Sequence, residues 1–383
     1  MTYLDVASTT KPRKEVIKAM MPYFEKFWSN PSSLYSPSVE VKDKIEQARW
    51  SVGKFIGAKG DEIFFTSGGS ESNCWAITGF INECWSRSEY AIVITSTIEH
   101  KSIIDCVENS NADFHFIGVD KQGFIDINKL EELLIKVSEF DIKPNCNVLV
   151  SIQFANNEIG TIQPIKEIAA LAHKYGGIFH TDAVQAFGHL PFNVYDLDVD
   201  MLSVSGHKVG CPKGIGFLYK KTGINIKPLI YGSQMDGMRG GTENVPYIIG
   251  MARAVRLLED EQSMARDMCV ELLKNNFINK LRKFGCTING SLDNRLINNV
   301  NVTFPNITGE ALLYMLDTAG IYASTGSACN SYDIEPSHVL KAIGLTNIEA
   351  MKTVRFTLPD DITEEQINKV IDEIDKAIKI TVI

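Results

Sequence analysis

The segment SVSGHKVGCPKGIG, residues 203–216, places Lys208 just after a strand-like run, in a turn rich in glycine. Ser205 and His207 stand beside it as donors suited to an anion such as phosphate. A lone loop lysine is ordinarily a solvated surface residue. Here its company changes the reading. Asp182 lies 26 residues earlier, at the carboxyl end of the strand-like GIFHTDA, and Gln185 follows three residues later. One short turn there aims both side chains into a single crevice. Upstream, FFTSGGSESN (64–73) runs from a strand through Gly68 and Gly69 into a helix, with the Ser70 hydroxyl at its start. Backbone N–H groups at such a helix start attract phosphate. Taken alone, a plain N-cap at Ser70 is the simpler account. A lysine amine, a strand-end carboxylate and a phosphate cradle are together what pyridoxal phosphate requires: a partner for its aldehyde, one for its pyridine nitrogen and one for its phosphate.

A second reactive group stands apart. In ASTGSACNSYD, residues 323–333, Cys329 sits among alanines, serines, a threonine and a glycine. A cysteine that fills a core usually has large apolar neighbours. The eight cysteines (74, 84, 106, 146, 211, 269, 286, 329) are scattered without a C-x-x-C pair, which predicts reduced thiols in a cytosol rather than a disulfide framework.

These groups need a scaffold. Strand-like EIFFT (62–66), YAIVITS (90–96), FHFIGV (114–119), NVLVSIQF (147–154), GIFHTDA (177–183), DMLSVS (200–205) and GIGFLYK (214–220) alternate with helical stretches over the first two thirds of the chain. Those stretches are Ser70–Cys84, one from Lys101, INKLEELLIKV (127–137) and a helix opened by Pro164 and closed at Gly176. The alternation predicts a mainly parallel sheet covered on both faces, with ligands at the carboxyl ends of its strands. Beyond about residue 255 the pattern changes to a smaller α+β unit, with strands at 296–304 and 353–359 and a helix at 310–316. A last helix opens at the capping box Thr363/Gln366 and carries an apolar face from Ile367 to Ile378. At 44% apolar and 22% charged residues, this is the composition of an ordinary globular protein. The net charge of −9, without a basic block, argues against nucleic acid or an anionic membrane as the main ligand. No apolar run reaches the length of a membrane span or a signal core.

The sequence resembles the cysteine desulfurases of the NifS/IscS type, within the class-V aminotransferase family of fold-type-I pyridoxal phosphate enzymes. The resemblance rests on YLDVASTT (3–10), NPSSLY (30–35), FTSGGSESN (65–73), IEHKS (98–102), ANNEIGTIQP (155–164), FHTDAVQAFGHLP (179–191), SVSGHKVGCPKGIGFLY (203–219), MRGGTEN (238–244), STGSACNS (324–331) and EPSHVLKAIGL (335–345). They occur in the family's order over nearly the whole chain. The resemblance implies that Lys208 holds the cofactor as a Schiff base, that Asp182 pairs with the pyridine nitrogen and that Gln185 contacts the ring hydroxyl. His100 resembles the imidazole that stacks on the ring and moves protons. Asn157 matches a group near the ring oxygen and the substrate. Gly69, Ser70, Ser205 and His207 resemble the phosphate cradle, and Thr242 a phosphate contact donated by the second subunit of a homodimer with shared sites. Arg355 resembles the clamp on the substrate carboxylate, a job for which a guanidinium fork is suited. Cys329 matches the nucleophile, and its small neighbours Gly326, Ser327 and Ala328 permit it to travel.

The implied architecture is α/β, with a large cofactor-binding domain over residues 15–254. Residues 1–14 and 255–383 form a small domain carrying the cysteine loop. The implied reaction converts L-cysteine to L-alanine and leaves a persulfide on Cys329. The sulfur is destined for an acceptor protein in iron–sulfur cluster assembly, tRNA thiolation or other thio-cofactor synthesis. No resident metal is implied, although the Cys329 thiolate also suits transient ligation of a cluster iron. The implied setting is cytoplasmic, without direct nucleic acid or membrane contact. Competing readings are a selenocysteine lyase, another enzyme of the same fold such as an aminotransferase, and a non-catalytic homologue that docks a partner. The chain departs from the family at Tyr35, where histidine is usual, at YGSQMDGMRGG (231–241) in place of a GGQERG-type stretch, and at Pro359, where glycine is common. None of these removes a catalytic group; they bear on the subunit boundary, loop dynamics and the choice of acceptor.

Overall fold

In chain order the strands are β1 (Thr2–Tyr3), β2 (Ile63–Thr66), β3 (Tyr90–Ser96), β4 (Asp113–Ile117), β5 (Cys146–Ser151), β6 (Ile178–Asp182) and β7 (Met201–Ser205). They continue with β8 (Gly216–Lys220), β9 (Thr287–Ile288), β10 (Asn299–Thr303), β11 (Ile321–Tyr322) and β12 (Thr353–Thr357). The structure is a computed structural model that describes residues 1–139, 146–261, 264–325 and 336–381.

Seven strands form one sheet in the order β2-β8-β7-β6-β5-β3-β4. From β7 to β4 every pairing is parallel, as expected for strands joined by helical crossovers. β8 runs antiparallel to both β7 and β2. The reason is local: between β7 and β8 the chain makes only a 3₁₀ turn, Gly206–Lys208, and an irregular return. No crossover helix separates them, so the strand folds straight back.

Both faces of the sheet are covered, and the period-2 alternation of side chains shows how. Ile94, Val150, Leu202 and Phe217 enter an apolar core shared with the helices Ser36–Phe55, Ile165–Lys174 and Val245–Glu261. Their neighbours Val93, Leu149, Met201 and Leu218 point to the opposite face, onto Trp75, Phe80 and Ile103 of the helices Gly69–Ser86 and Lys101–Glu108. A separate core gathers Leu4 with Val300, Phe304, Leu316, Phe356, Val370 and Ile374. It is roofed by the antiparallel sheet β12-β10-β9 and the helices Gly309–Thr318 and Glu364–Thr381. The last helix opens with reciprocal bonds, Thr363 N–H to Gln366 Oε1 at 2.9 Å and Gln366 N–H to Thr363 Oγ1 at 3.2 Å. The N-terminal strand β1 lies parallel to β11, far from its sequence neighbours. Residues 5–13 are thereby led from this second core across to the carboxyl edge of the large sheet. Among the described residues, no helix is long and apolar enough to cross a membrane.

Candidate active site

The strand ends of the large sheet set the site. Asp182 closes β6 and Ser205 closes β7, while the loops after β2, β3 and β5 bring in Gly69, His100 and Asn157. All of these line one cavity of about 330 Å³ with Ser70, Gln185, His207, Lys208 and Arg355. Carboxyl edges of parallel strands are where such sheets bind ligands.

Close backbone packing shapes the floor. A Cβ on Gly216 would lie 2.4 Å from Val204 O and 2.7 Å from Gly68 Cα, so the glycine loop after β2 can rest directly on β8. The helix begins at Gly69 with Gly68 as its cap, so Ser70 is its second residue and not the N-cap. The Ser70 hydroxyl is thus left for the cavity, and the first N–H groups of the helix lack intrahelical acceptors. A Cβ on Gly69 would lie 2.7 Å from Val184 Cγ2, which excludes larger residues there.

Lys208 Nζ donates to Ala7 O at 2.5 Å and to Ser8 O at 2.7 Å. Gln185 Nε2 donates to the same Ala7 oxygen at 3.0 Å. The segment carrying Ala7 and Ser8 is pinned to the lysine turn from both sides of Thr10. Thr10 Oγ1 donates to His207 O at 2.9 Å and accepts from Gly210 N–H at 2.8 Å. His207 Nδ1 lies 3.2 Å from Thr9 Oγ1. Burial, reinforced by Lys208 and Lys213, pushes the His207 imidazole down to about 4, so it serves as a neutral hydrogen-bonding group.

Asp182 is fixed by two donors, Val184 N–H to Oδ1 at 2.9 Å and Asn73 Nδ2 to Oδ2 at 2.7 Å. Asn73 Nδ2 also reaches Ser102 Oγ at 3.0 Å, and Ser102 Oγ lies 2.8 Å from His100 Nδ1. His100 is the N-cap of the helix Lys101–Glu108, and its Nδ1 accepts the Ser102 N–H at 3.1 Å. A ring whose Nδ1 accepts carries its neutral-state proton on Nε2. Burial holds the His100 imidazole below its ordinary range, and Lys208 and His338 push the same way while Asp182 opposes.

Arg355, buried on β12, donates from Nη1 to Asn157 O at 3.0 Å and from Nη2 to Asp5 Oδ1 at 2.8 Å and Ser8 Oγ at 2.7 Å. Its Nε is buried without a hydrogen-bond partner among the described residues. Thr242 is exposed and does not line the cavity within this chain. Tyr35 is also exposed. Cys329 lies outside the described residues.

Sequence reasoning assigned no role to Asn73, Ser102, Asp5, Ala7 or Ser8, although each sits inside a quoted motif. The backbone carbonyls of Ala7 and Ser8 carry no side-chain signature at all. It also missed Glu99, beside His100, which is fully buried. Desolvation pushes its carboxyl up to about 8, while Ser96 Oγ donates to it at 2.5 Å and Gln153 N–H at 2.9 Å. Cys211, the thiol nearest Lys208 in sequence, is buried against Met251 Sδ at 3.7 Å, and burial pushes it up to about 12.

The donor set fits pyridoxal phosphate. The open helix start with Ser70, Ser205 and His207 would suit the phosphate, Lys208 the aldehyde, and Asp182, at a strand end, the pyridine nitrogen. The buried Asn73 Oδ1, without a partner among the described residues, leaves one further acceptor at the cavity wall. Fold and donor set together define a pyridoxal-phosphate-dependent enzyme of fold type I. Residues 2–370 match the family model of the class-V aminotransferases. The cysteine desulfurase IscS of Dictyoglomus turgidum is 43% identical over 98% of this chain and 94% of its own length. A solved NifS-like protein superposes with a TM-score of 0.90 at 33% identity, covering 99% of both chains. The structure described as SspA in complex with cysteine superposes with a TM-score of 0.81 at 36% identity, over 94% of this chain and 99% of that one. The chain belongs to the class-V aminotransferase family, in its branch of cysteine desulfurases.

Proposed function

We propose that the chain removes the sulfur of L-cysteine with the residues of this cavity and passes it, through Cys329, to an acceptor protein. The observation that carries the reading is the convergence of Lys208, Asp182 and His100 on one cavity at the carboxyl edge of the sheet. When bound, pyridoxal phosphate supplies an aldehyde that captures the substrate amine and a protonated ring that draws electrons from its Cα.

The protein's own groups do the rest. Asp182, held by Asn73 and the Val184 N–H, would pair with the pyridine nitrogen of the bound cofactor. Lys208 would hold the cofactor, and its Nζ, positioned by the Ala7 and Ser8 carbonyls, would take the substrate Cα proton. Arg355, which lines the cavity, binds the substrate carboxylate through its guanidinium. The Cys329 thiolate attacks the substrate sulfur: a new S–S bond forms, the C–S bond breaks, and the freed carbon takes a proton to give alanine. His100 Nε2 carries a proton suited to that last transfer. L-cysteine and one protein thiol thus become L-alanine and one protein persulfide, with atoms and electrons in balance.

Cys329 is favoured as carrier over Cys211, whose thiol is buried and pushed up to about 12. Residues 15–254 serve as the cofactor-binding domain, and residues 1–14 and 255–383 as the smaller one. The separate core joining Leu4 to residues beyond 277 supports that division. Thr242, exposed and away from its own cavity, acts on the phosphate of a second copy in a homodimer. The acceptor is an iron–sulfur scaffold or a thiolating enzyme, and the setting is cytoplasmic. The test is incubation of the purified chain with L-cysteine, following alanine and protein-bound sulfur by mass spectrometry without reductant. Stoichiometric alanine and persulfide support the reading. Keto-acid formation, or no product with bound cofactor, overturns it.

A further inference from the structure

Behind the cavity wall, Cys74 lies on the helix Gly69–Ser86 and Cys106 on the helix Lys101–Glu108, which packs against it. Cys106 faces Cys74 across that helix contact. Cys106 Sγ is 3.4 Å from Thr78 Oγ1 and 4.0 Å from Cys74 O, and Cys74 Sγ is 3.6 Å from Ser102 O. Both residues are half-buried rather than sealed in the core. Neither belongs to the residues proposed for desulfuration.

We propose that Cys74 and Cys106 form an oxidation site, a dithiol that a hydroperoxide converts to a disulfide clamping these two helices together behind the cofactor cavity. The pair is asymmetric in the way this chemistry needs. Cys74 donates its S–H to Ser102 O and is pushed up, while Cys106 is lowered to about 7 by the adjacent Cys74 thiol, with Thr78 assisting against burial. A thiolate is the attacking species. Burial instead pushes the thiols of Cys84 up to about 11 and of Cys286 up to about 12.

The Cys106 thiolate attacks one peroxide oxygen, the O–O bond breaks, and an alcohol or water leaves with one proton. The Cys74 thiol then attacks the sulfenic sulfur; the S–S bond forms, the S–O bond breaks, and water leaves. Two thiols lose two electrons, and the peroxide bond gains them. The disulfide requires the sulfurs to close to about 2.05 Å, so the two helices must draw together. Asn73 precedes Cys74, and Ser102 lies one turn before Cys106. These two residues link Asp182 to His100 at 2.7, 3.0 and 2.8 Å, so the clamp acts on that chain of bonds.

The experiment uses the full-length holoenzyme carrying Cys329→Ala, which removes the proposed sulfur carrier as a competing target. It is treated with hydrogen peroxide, alkylated, digested without reductant and mapped. The absorption band of the bound cofactor is recorded before and after. The expected result is a Cys74–Cys106 linked peptide, reversed by dithiol reductant, with a reversible shift of the cofactor band. Cys106→Ser should abolish the crosslink and the band shift while leaving the untreated band in place. Iodoacetamide labelling of Cys106 in the untreated protein should rise through about pH 7. Both thiols remaining alkylatable after peroxide, or Cys106 stopping at a sulfinic acid or linking to another cysteine, would overturn the proposal. A crosslink that leaves the cofactor band unmoved would overturn its coupling to the cavity. All of these readouts are independent of whether L-cysteine is the substrate.

Discussion

Asn73 donates its side-chain N–H to Asp182 Oδ2 at 2.7 Å, across two elements that the sequence separates by more than a hundred residues. The helix that starts at Gly69, the proposed phosphate cradle, therefore also braces Asp182, the proposed partner of the pyridine nitrogen. The two proposed subsites are mechanically linked, because Asn73 lies only one turn beyond Gly69.

Replacing Asn73 with alanine should leave Asp182 short of a charge-assisted hydrogen bond, a loss of about 1.5–3 kcal/mol. The expectation is a cofactor affinity or turnover reduced by about tenfold to a hundredfold. Titration of the apoenzyme with pyridoxal phosphate, followed by absorbance, measures the first. An unchanged affinity together with unchanged turnover would show that the Val184 N–H is sufficient.

Lys208→Ala should eliminate the covalent cofactor, because no other amine of the described residues lines the cavity. Borohydride reduction and peptide mapping check it. Wild-type protein should trap the cofactor on Lys208 and the variant should trap none; a trapped adduct elsewhere would move the assignment.

Asp182→Ala should retain some cofactor on Lys208 but lose nearly all turnover. A preorganised electrostatic partner of this kind is worth on the order of 2–4 kcal/mol in the barrier. Activity within about twofold of the parent chain would mean that another group protonates the ring.

Cys329→Ser should abolish alanine formation while leaving cofactor binding intact, because a serine hydroxyl stays protonated at neutral pH and cannot carry a persulfide. Cys211→Ser should turn over normally, since that thiol is buried and pushed up to about 12. Labelled sulfur recovered on Cys211 would reverse the two roles.

The pH dependence of stability has a buried histidine at its centre. His180 lies between Ser151 Oγ at 2.8 Å and Ser203 Oγ at 2.9 Å, and burial pushes it from 6.5 down to about 3. Between those values the unfolded chain holds the proton and the folded chain does not, so stability is full above 6.5 and falls as pH drops toward 3. The slope from this one residue approaches 1.4 kcal/mol per pH unit. Glu99, pushed up to about 8, works the other way and lowers stability as pH rises from 4.5 to 8. Denaturant melts between pH 4 and 8 on the parent, His180→Asn and Glu99→Gln should therefore show slopes that change in opposite directions. Parallel curves for all three would contradict the burial-driven shifts.

The parallel core of the sheet was legible because each of its strands is a short β-branched or apolar run bounded by turn residues. The reversal of β8 was not, since nothing in GIGFLYK announces its direction; it follows from the brevity of the connection after Lys208. Lys208, Asp182 and the glycine loop could be singled out because each has a residue type suited to the proposed chemistry and a place after a strand, and all three line one cavity. The Asn73–Ser102–His100 chain was not: an asparagine and a serine on helix starts look like ordinary caps until the two helices are packed together.

The sequence by itself determined which family the chain belongs to and which residues are candidates for its chemistry, because those properties reside in residue types at fixed spacing along the chain. Only the tertiary structure decided what holds each group in place. The side-chain amine of Lys208 rests on the carbonyls of Ala7 and Ser8, two hundred residues away, because β1 pairs with β11 and carries the N-terminal segment across to the site. Arg355 meets Asp5 for the same reason. Backbone carbonyls are identical at every position, so their part in the site is fixed by topology and cannot be read from residue identity.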